Sequence, residues 1–200
     1  MVTRVGQNAG MIFDDFQARH GEPIDPLPVP GEAMELFEKL LPSALLTHWR
    51  DVGWAGWADG LLWTVDPREL DGVPGDWLGS DVQDAAVIAR TAFCDLFIFA
   101  EGAIHYVDVH RGGSTQITPD VEVLMDGLLV NDVFVGNGLQ GDVYAEALPR
   151  LGPPSHDTCY AFVPALALGG PGTAASIQRA DLREQLTYLA QVHGGSTAQA

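Results

Sequence analysis

The chain has 200 residues, 46% of them hydrophobic and 18% charged, which suits one domain core or two small ones tightly joined. That composition excludes a disordered chain, a collagen-like fibre and a disulfide-held scaffold. Its 27 Asp and Glu against 10 Lys and Arg give a net charge of −17, a field that repels phosphate backbones and argues against nucleic-acid binding.

A basic protein is the natural complement of such a surface. Residues 1–115 carry 18 acids and 7 bases, and residues 116–200 carry 9 and 3, so the excess belongs to the folded surface and not to a tail. Cys94 and Cys159 lie 65 positions apart inside apolar runs, without metal-ligand spacing, and read as buried thiols of a reducing cytosol. Met1 to Gly10 holds no apolar stretch of signal type, and the most apolar run, Tyr160 to Leu168, is interrupted by Pro164. A membrane span needs roughly 20 residues. The expectation is a soluble, cytoplasmic protein that contacts no membrane.

In chain order, Ile12, Phe13 and Phe16 form the apolar stripe of a first helix stopped by Gly21. A proline-punctuated linker, Pro23 to Pro30, must run extended. A second helix covers Glu32 to Leu41, with Ala33, Phe37, Leu40 and Leu41 on one face. Pro42 ends it, and Ser43 can cap a third that carries Leu45, Leu46, Trp49 and Val52 and stops at Gly53. Strands follow at Leu61–Val65, Val87–Phe93, Leu96–Ala100 and Ala103–Val109, the last two joined by Glu101-Gly102 as a hairpin. Leu96–Ala100 is apolar on both faces, as a central strand is, and strands so closely spaced pair antiparallel. Thr118 as cap and Pro119 at the first helical position open a helical region with pieces around Asp132 and Val143–Leu148. Thr158–Phe162 is one more strand, and Ser176 caps a last helix burying Leu182, Leu186 and Leu189. The fold class is α+β: an antiparallel sheet of about four to six strands flanked by N-terminal and C-terminal helices.

Few residues promise chemistry. Gly136-Asn137-Gly138-Leu139-Gln140-Gly141 spells a dinucleotide fingerprint, but no βαβ pattern surrounds it, so it reads as a loop between helices. His105, Asp108 and His110 sit where strand alternation turns His105 away from the other two, leaving too few ligands for zinc. Ser155-His156-Asp157 are neighbours in sequence and cannot fold into a nucleophile–base–orienter chain; they read as a turn after Pro153-Pro154. No catalytic residue, metal site or cofactor is expected. Trp49, Trp54, Trp57, Trp63 and Trp77 crowd within 29 positions, among Asp51, Asp59, Asp66, Glu69, Asp71 and Asp76. They either fill a core or rim an acidic docking surface.

The run Leu41-Pro42-Ser43-Ala44-Leu45-Leu46-Thr47-His48-Trp49-Arg50-Asp51-Val52-Gly53, followed by Asp59-Gly60, Trp63 and Asp66-Pro67, resembles the start of the GAD-like domain. Ala89-Arg90-Thr91-Ala92-Phe93-Cys94-Asp95-Leu96-Phe97 resembles that domain's most recognisable run, with Cys94 where the family usually places Gly. Tyr160 to Gly170 is similar to the companion C-terminal domain found in immunity proteins of type VI secretion DNase toxins. The helix–sheet–helix order also resembles the SMI1/KNR4-type fold of bacterial immunity proteins.

This resemblance implies a GAD-like domain at 11–112, an immunity-type domain at 113–194 packed with it as one compact unit, and a disordered tail at 195–200. It further implies a cytosolic antitoxin without catalysis, whose partner is a cognate toxin, a basic nuclease. Arg90, Thr91 and Phe93 are expected to be structural, with Arg90 paired to Asp95 across a turn. The toxin-binding candidates are Trp54, Trp57, Asp59, Asp66, Glu69, Asp71 and Asp76. The alternative is a non-catalytic small-molecule or peptide-binding regulator with a pocket lined by Trp54, Trp57 and Trp63.

Overall fold

A computed structural model describes residues 12–194; the expectations for the first ten residues and for the tail at 195–200 lie outside the described residues. Helix α1 (Asp14–His20) buries Phe16 and ends at Gly21, whose φ of 77° suits a residue without Cβ. Helices α2 (Gly31–Phe37) and α3 (Ser43–Asp51) follow, each opened by the proline before it. No side chain caps α3, so Ser43 starts it by position alone.

Seven strands form one antiparallel meander in sequence order: β1 (Ile24–Leu27), β2 (Trp54–Trp57), β3 (Leu62–Thr64), β4 (Ala86–Thr91), β5 (Leu96–Ala100), β6 (Ala103–Asp108) and β7 (Gly113–Thr118). The sheet is the middle of three layers. On β5, Phe97 and Phe99 join a core with Phe16, Phe37, Leu45 and Trp49, while Leu96, Ile98 and Ala100 join a second core on the opposite face. Helix α4 (Val73–Leu78) and helix α6 (Leu182–Gly194) cover that second face, α6 through Leu182, Leu186 and Leu189. Burial on both faces explains the unbroken apolar composition of β4 and β5. Helix α5 (Gly141–Leu151) and the hairpin β8 (Thr158–Phe162) with β9 (Ile177–Asp181) complete the first core.

The α+β class and the antiparallel pairing stand, but among the described residues the strands number seven plus two where four to six were expected. Three of the four missed strands lacked the alternating signal for a physical reason. β1 contains Pro26 and is an edge strand, so it reads as a linker. β2 is buried on both faces, and β7 is a solvent-exposed edge with little apolar content. β9 occupies the segment after Ser176; α6 starts later, where the Asp181 carboxylate accepts the Glu184 N–H at 2.9 Å. Likewise Asp120, and not Thr118 with Pro119, opens the next helical segment, accepting from the Glu122 N–H at 2.9 Å. That segment is π-helical over Val123–Leu128, as is Phe134–Gly138. β7 carries the sheet past residue 112 into the chain's second half.

Candidate functional site

Between β3 and β4 the chain makes a long excursion, residues 65–85, with six acids and one base, Arg68. Its folding separates charge from core. The Asp66 carboxylate accepts the Arg68 N–H at 3.0 Å and caps a short 3₁₀ turn, Pro67–Leu70, with proline at the first position. Leu70, Val73 and Pro74 turn inward. Glu69, Asp71, Asp76, Asp81 and Asp84 are left exposed on the outside. Arg68 does not offset them. Its guanidinium grips Asp66 at 2.7–3.1 Å and Glu32 at 3.0 Å, and lies 5.8 Å from the centre of the Trp54 ring. The Asp66 carboxylate chiefly, with Glu32, holds that guanidinium's pKa above its ordinary value.

Of the seven candidates, Asp66, Glu69, Asp71 and Asp76 share this excursion. Asp59 does not: it lies in the β2–β3 turn at the other end of β3, and its carbonyl accepts the Tyr144 hydroxyl at 2.6 Å. The two tryptophans are core residues. Trp54, 3% exposed, packs edge-on to Trp49 at 5.7 Å, and Trp57, 1% exposed, packs against Phe16 at 5.1 Å. Neither Trp54 nor Trp57 therefore rims the acidic face, since indoles of this size stabilise the fold most when removed from water, whereas Trp77 of α4 stands within the excursion and is half-buried. Nor do Trp54, Trp57 and Trp63 line one pocket, because Trp63 belongs to the opposite core.

Trp54 instead forms part of the wall of a cleft of about 540 Å³ between the two halves of the chain. The first half supplies Leu27, Pro28, Asp66 and Glu69; the second supplies His156, Asp157, Asp181 and Arg183. Arg183 donates to the Glu69 carbonyl, and His156 meets the Asp25 carbonyl at 2.8 Å and the Trp63 ring at 4.8 Å. Sequence reasoning missed the second-half residues, which lie more than 80 positions from the acids they face; no local pattern announces them. Ser155 is bound within its own turn, its hydroxyl donating to Asp157 at 2.6 Å while His156 faces elsewhere.

The most recognisable run forms the seam. Arg90 is fully buried and donates to the carbonyls of Thr91 (3.1 Å), Ser155 (2.6 Å), His156 (3.3 Å) and Thr158 (3.1 Å). Its expected partner, Asp95, faces away, accepting the Val109 N–H at 3.2 Å and the Thr91 hydroxyl at 3.3 Å. Thr91 in turn accepts the N–H groups of Phe93 and Asp95, which closes a tight turn where Cys94 has φ 71°. A left-handed position favours glycine, the physical reason for a Gly preference there. The glycine-rich run at 136–141 lies between the Phe134–Gly138 segment and α5, with no strand before it. His110 lies buried beyond β6, with Nε2 2.8 Å from the Phe93 carbonyl, and Asp108 pairs with Arg111 at 2.6 Å.

Residues 11–111, half of the chain, match the GAD-like domain, and the protein belongs to that family. Residues 120–193 match the T6SS immunity protein Tdi1, C-terminal, which supports an immunity role in type VI secretion and, with it, binding of a cognate toxin. No curated protein matches the sequence. A solved structure, the crystal structure of Atu4351 from Agrobacterium tumefaciens, shares the fold with a TM-score of 0.71 at 18% identity, over 90% of this chain and 88% of that one. Among the described residues no helix is long and apolar enough to cross a membrane.

Proposed function

We propose that the protein is a cytoplasmic immunity protein, without catalysis of its own, that binds and neutralises a cognate secreted nuclease through the acidic face of the β3–β4 excursion. The observation that carries this reading is the separation just described. Glu69, Asp71, Asp76, Asp81 and Asp84 are exposed on a fold of the GAD-like family, and the excursion's single cation is bound to carboxylates of its own chain. A nuclease works by attracting phosphate, so its working face is basic. An acidic face laid against it competes with the nucleic-acid backbone and is steered to it over long range.

The test is association kinetics with the toxin partner, its active site inactivated, at several salt concentrations. The triple reversal E69K/D71K/D76K changes only exposed side chains. It should slow association by roughly 10-fold or more at low salt and flatten its salt dependence. Unchanged association would remove this surface from the interface. The regulator reading has one observation on its side, the cleft beside Trp54, and loses the shared pocket it requires because Trp57 and Trp63 are packed into separate cores.

A further inference from the structure

The cleft between the two halves has a chemistry of its own. Its interior is apolar, with Leu27, Pro28, Trp54, Leu70 and Leu182 along its walls, and Leu27 is left 47% exposed. Its volume of about 540 Å³ lies within the roughly 300–1,000 Å³ range of sites that bury a ligand or several side chains. Both guanidinium groups at its edge are engaged by the protein itself: Arg68 by Asp66 and Glu32, Arg183 by the Glu69 carbonyl. Among the described residues the remaining carboxylates form no ion pair, although His156 and the buried Arg90 act on Asp157 at longer range. Asp157 accepts the Ser155 hydroxyl and Asp181 accepts the Glu184 N–H, both neutral donors, while Glu69 is exposed. Hydrogen bonding from Ser155 above all holds the Asp157 pKa below its ordinary value, so it carries full charge at neutral pH.

An apolar trough edged by carboxylates outside any ion pair repels a phosphate and wastes its charge on a purely apolar ligand. It suits a long cationic side chain, whose methylene stem lies on the apolar wall while the head reaches the carboxylates. We infer that this cleft receives one basic segment of the toxin, an Arg- or Lys-bearing loop whose stem packs on Leu27 and Leu182 and whose charged head meets Glu69, Asp157 and Asp181. The inference rests on the immunity reading and adds where the partner anchors. Glu69 belongs to both surfaces, so a toxin drawn to the acidic face arrives at the mouth of the cleft. Arginine is also, with tryptophan and tyrosine, a residue type enriched among the anchors of protein interfaces.

Leu27→Arg is the test, since a half-exposed position tolerates the change and the new cation occupies and repels from the same trough. With the inactivated toxin, the variant should lose at least 30-fold in affinity, mostly through faster dissociation, with its melting temperature unchanged. A second measurement does not depend on that variant folding well. Leu27→Cys, labelled with a benzophenone maleimide while the buried Cys94 and Cys159 stay unreactive, should crosslink to a toxin peptide rich in Arg or Lys. Full affinity in Leu27→Arg, or capture of an acidic or uncharged peptide, overturns the inference and leaves the immunity reading standing. A small molecule found in the cleft by native mass spectrometry and retained in the toxin complex also overturns it. A wild-type protein that fails to bind the toxin overturns both.

Discussion

His48 sits on the buried face of α3, 0% exposed, with its ring 5.3 Å from Phe13 and 5.7 Å from Trp57. Neither ring nitrogen has a hydrogen-bond partner. Burial pushes its pKa down from 6.5 to about 4, against a smaller opposing pull from Asp51. His48→Leu keeps an apolar side chain of similar bulk and removes both unsatisfied groups. An unpaired buried polar group costs about 1–3 kcal/mol, and the lost aromatic contacts return about 0.5–1.5 kcal/mol of that, so the variant gains roughly 1 kcal/mol at pH 7.5. The larger effect is in acid. As pH falls below 6.5 the unfolded chain takes up a proton that the folded protein refuses until about pH 4, so wild-type stability drains through that window. Two and a half pH units at 1.36 kcal/mol each amount to about 3 kcal/mol. Urea melts of the two proteins from pH 7.5 to pH 4 measure the gap directly, and subtraction cancels every other titrating group. A gap that stays constant with pH, or a variant less stable at pH 7.5, refutes this reasoning.

Asp95 gives the opposite slope: burial first, and the charge of Asp108 second, push its carboxyl up to about 8. Its contribution is therefore complete below the ordinary 3.8 and is lost as pH rises through 8, so Asp95→Asn should remove roughly 4 kcal/mol of decline between pH 5 and pH 8 in urea melts. Arg90→Met leaves the carbonyls of Ser155, His156 and Thr158 without their donor and should cost at least about 3 kcal/mol, with amide exchange rising first in β8. Gly53 has φ 93° with the Leu27 carbonyl pressed against it, so Gly53→Ala should lower stability by at least about 2 kcal/mol and unprotect β1, read by hydrogen exchange.

What the sequence made legible was whatever a periodic pattern or a turn residue writes locally. Leu96–Ala100 declares a strand covered on both faces, and Gly21 and Gly53 mark helix ends because only glycine takes those dihedrals without strain. The Thr91–Asp95 turn was visible as a recognisable run, yet its logic was not. A lone arginine beside an aspartate suggests an ion pair, whereas the structure sends Arg90 to carbonyls more than 60 residues away and leaves Asp95 to bind the backbone of Val109. The tryptophans failed for a related reason: crowding in sequence says nothing about facing, and alternate residues of a sheet buried on both sides enter two different cores, as Trp57 and Trp63 do. The acids were easier to place because solvation leaves them little choice. Once Leu70 and Val73 are drawn inward, Asp71 between them and Glu69 beside them must point out. The cleft belongs to neither kind of signal, since it exists only where Arg90 and His156 hold the second half against the first. Asp157 takes its position from the turn that Arg90 holds, which ties part of the shape offered to a partner to a fully buried arginine.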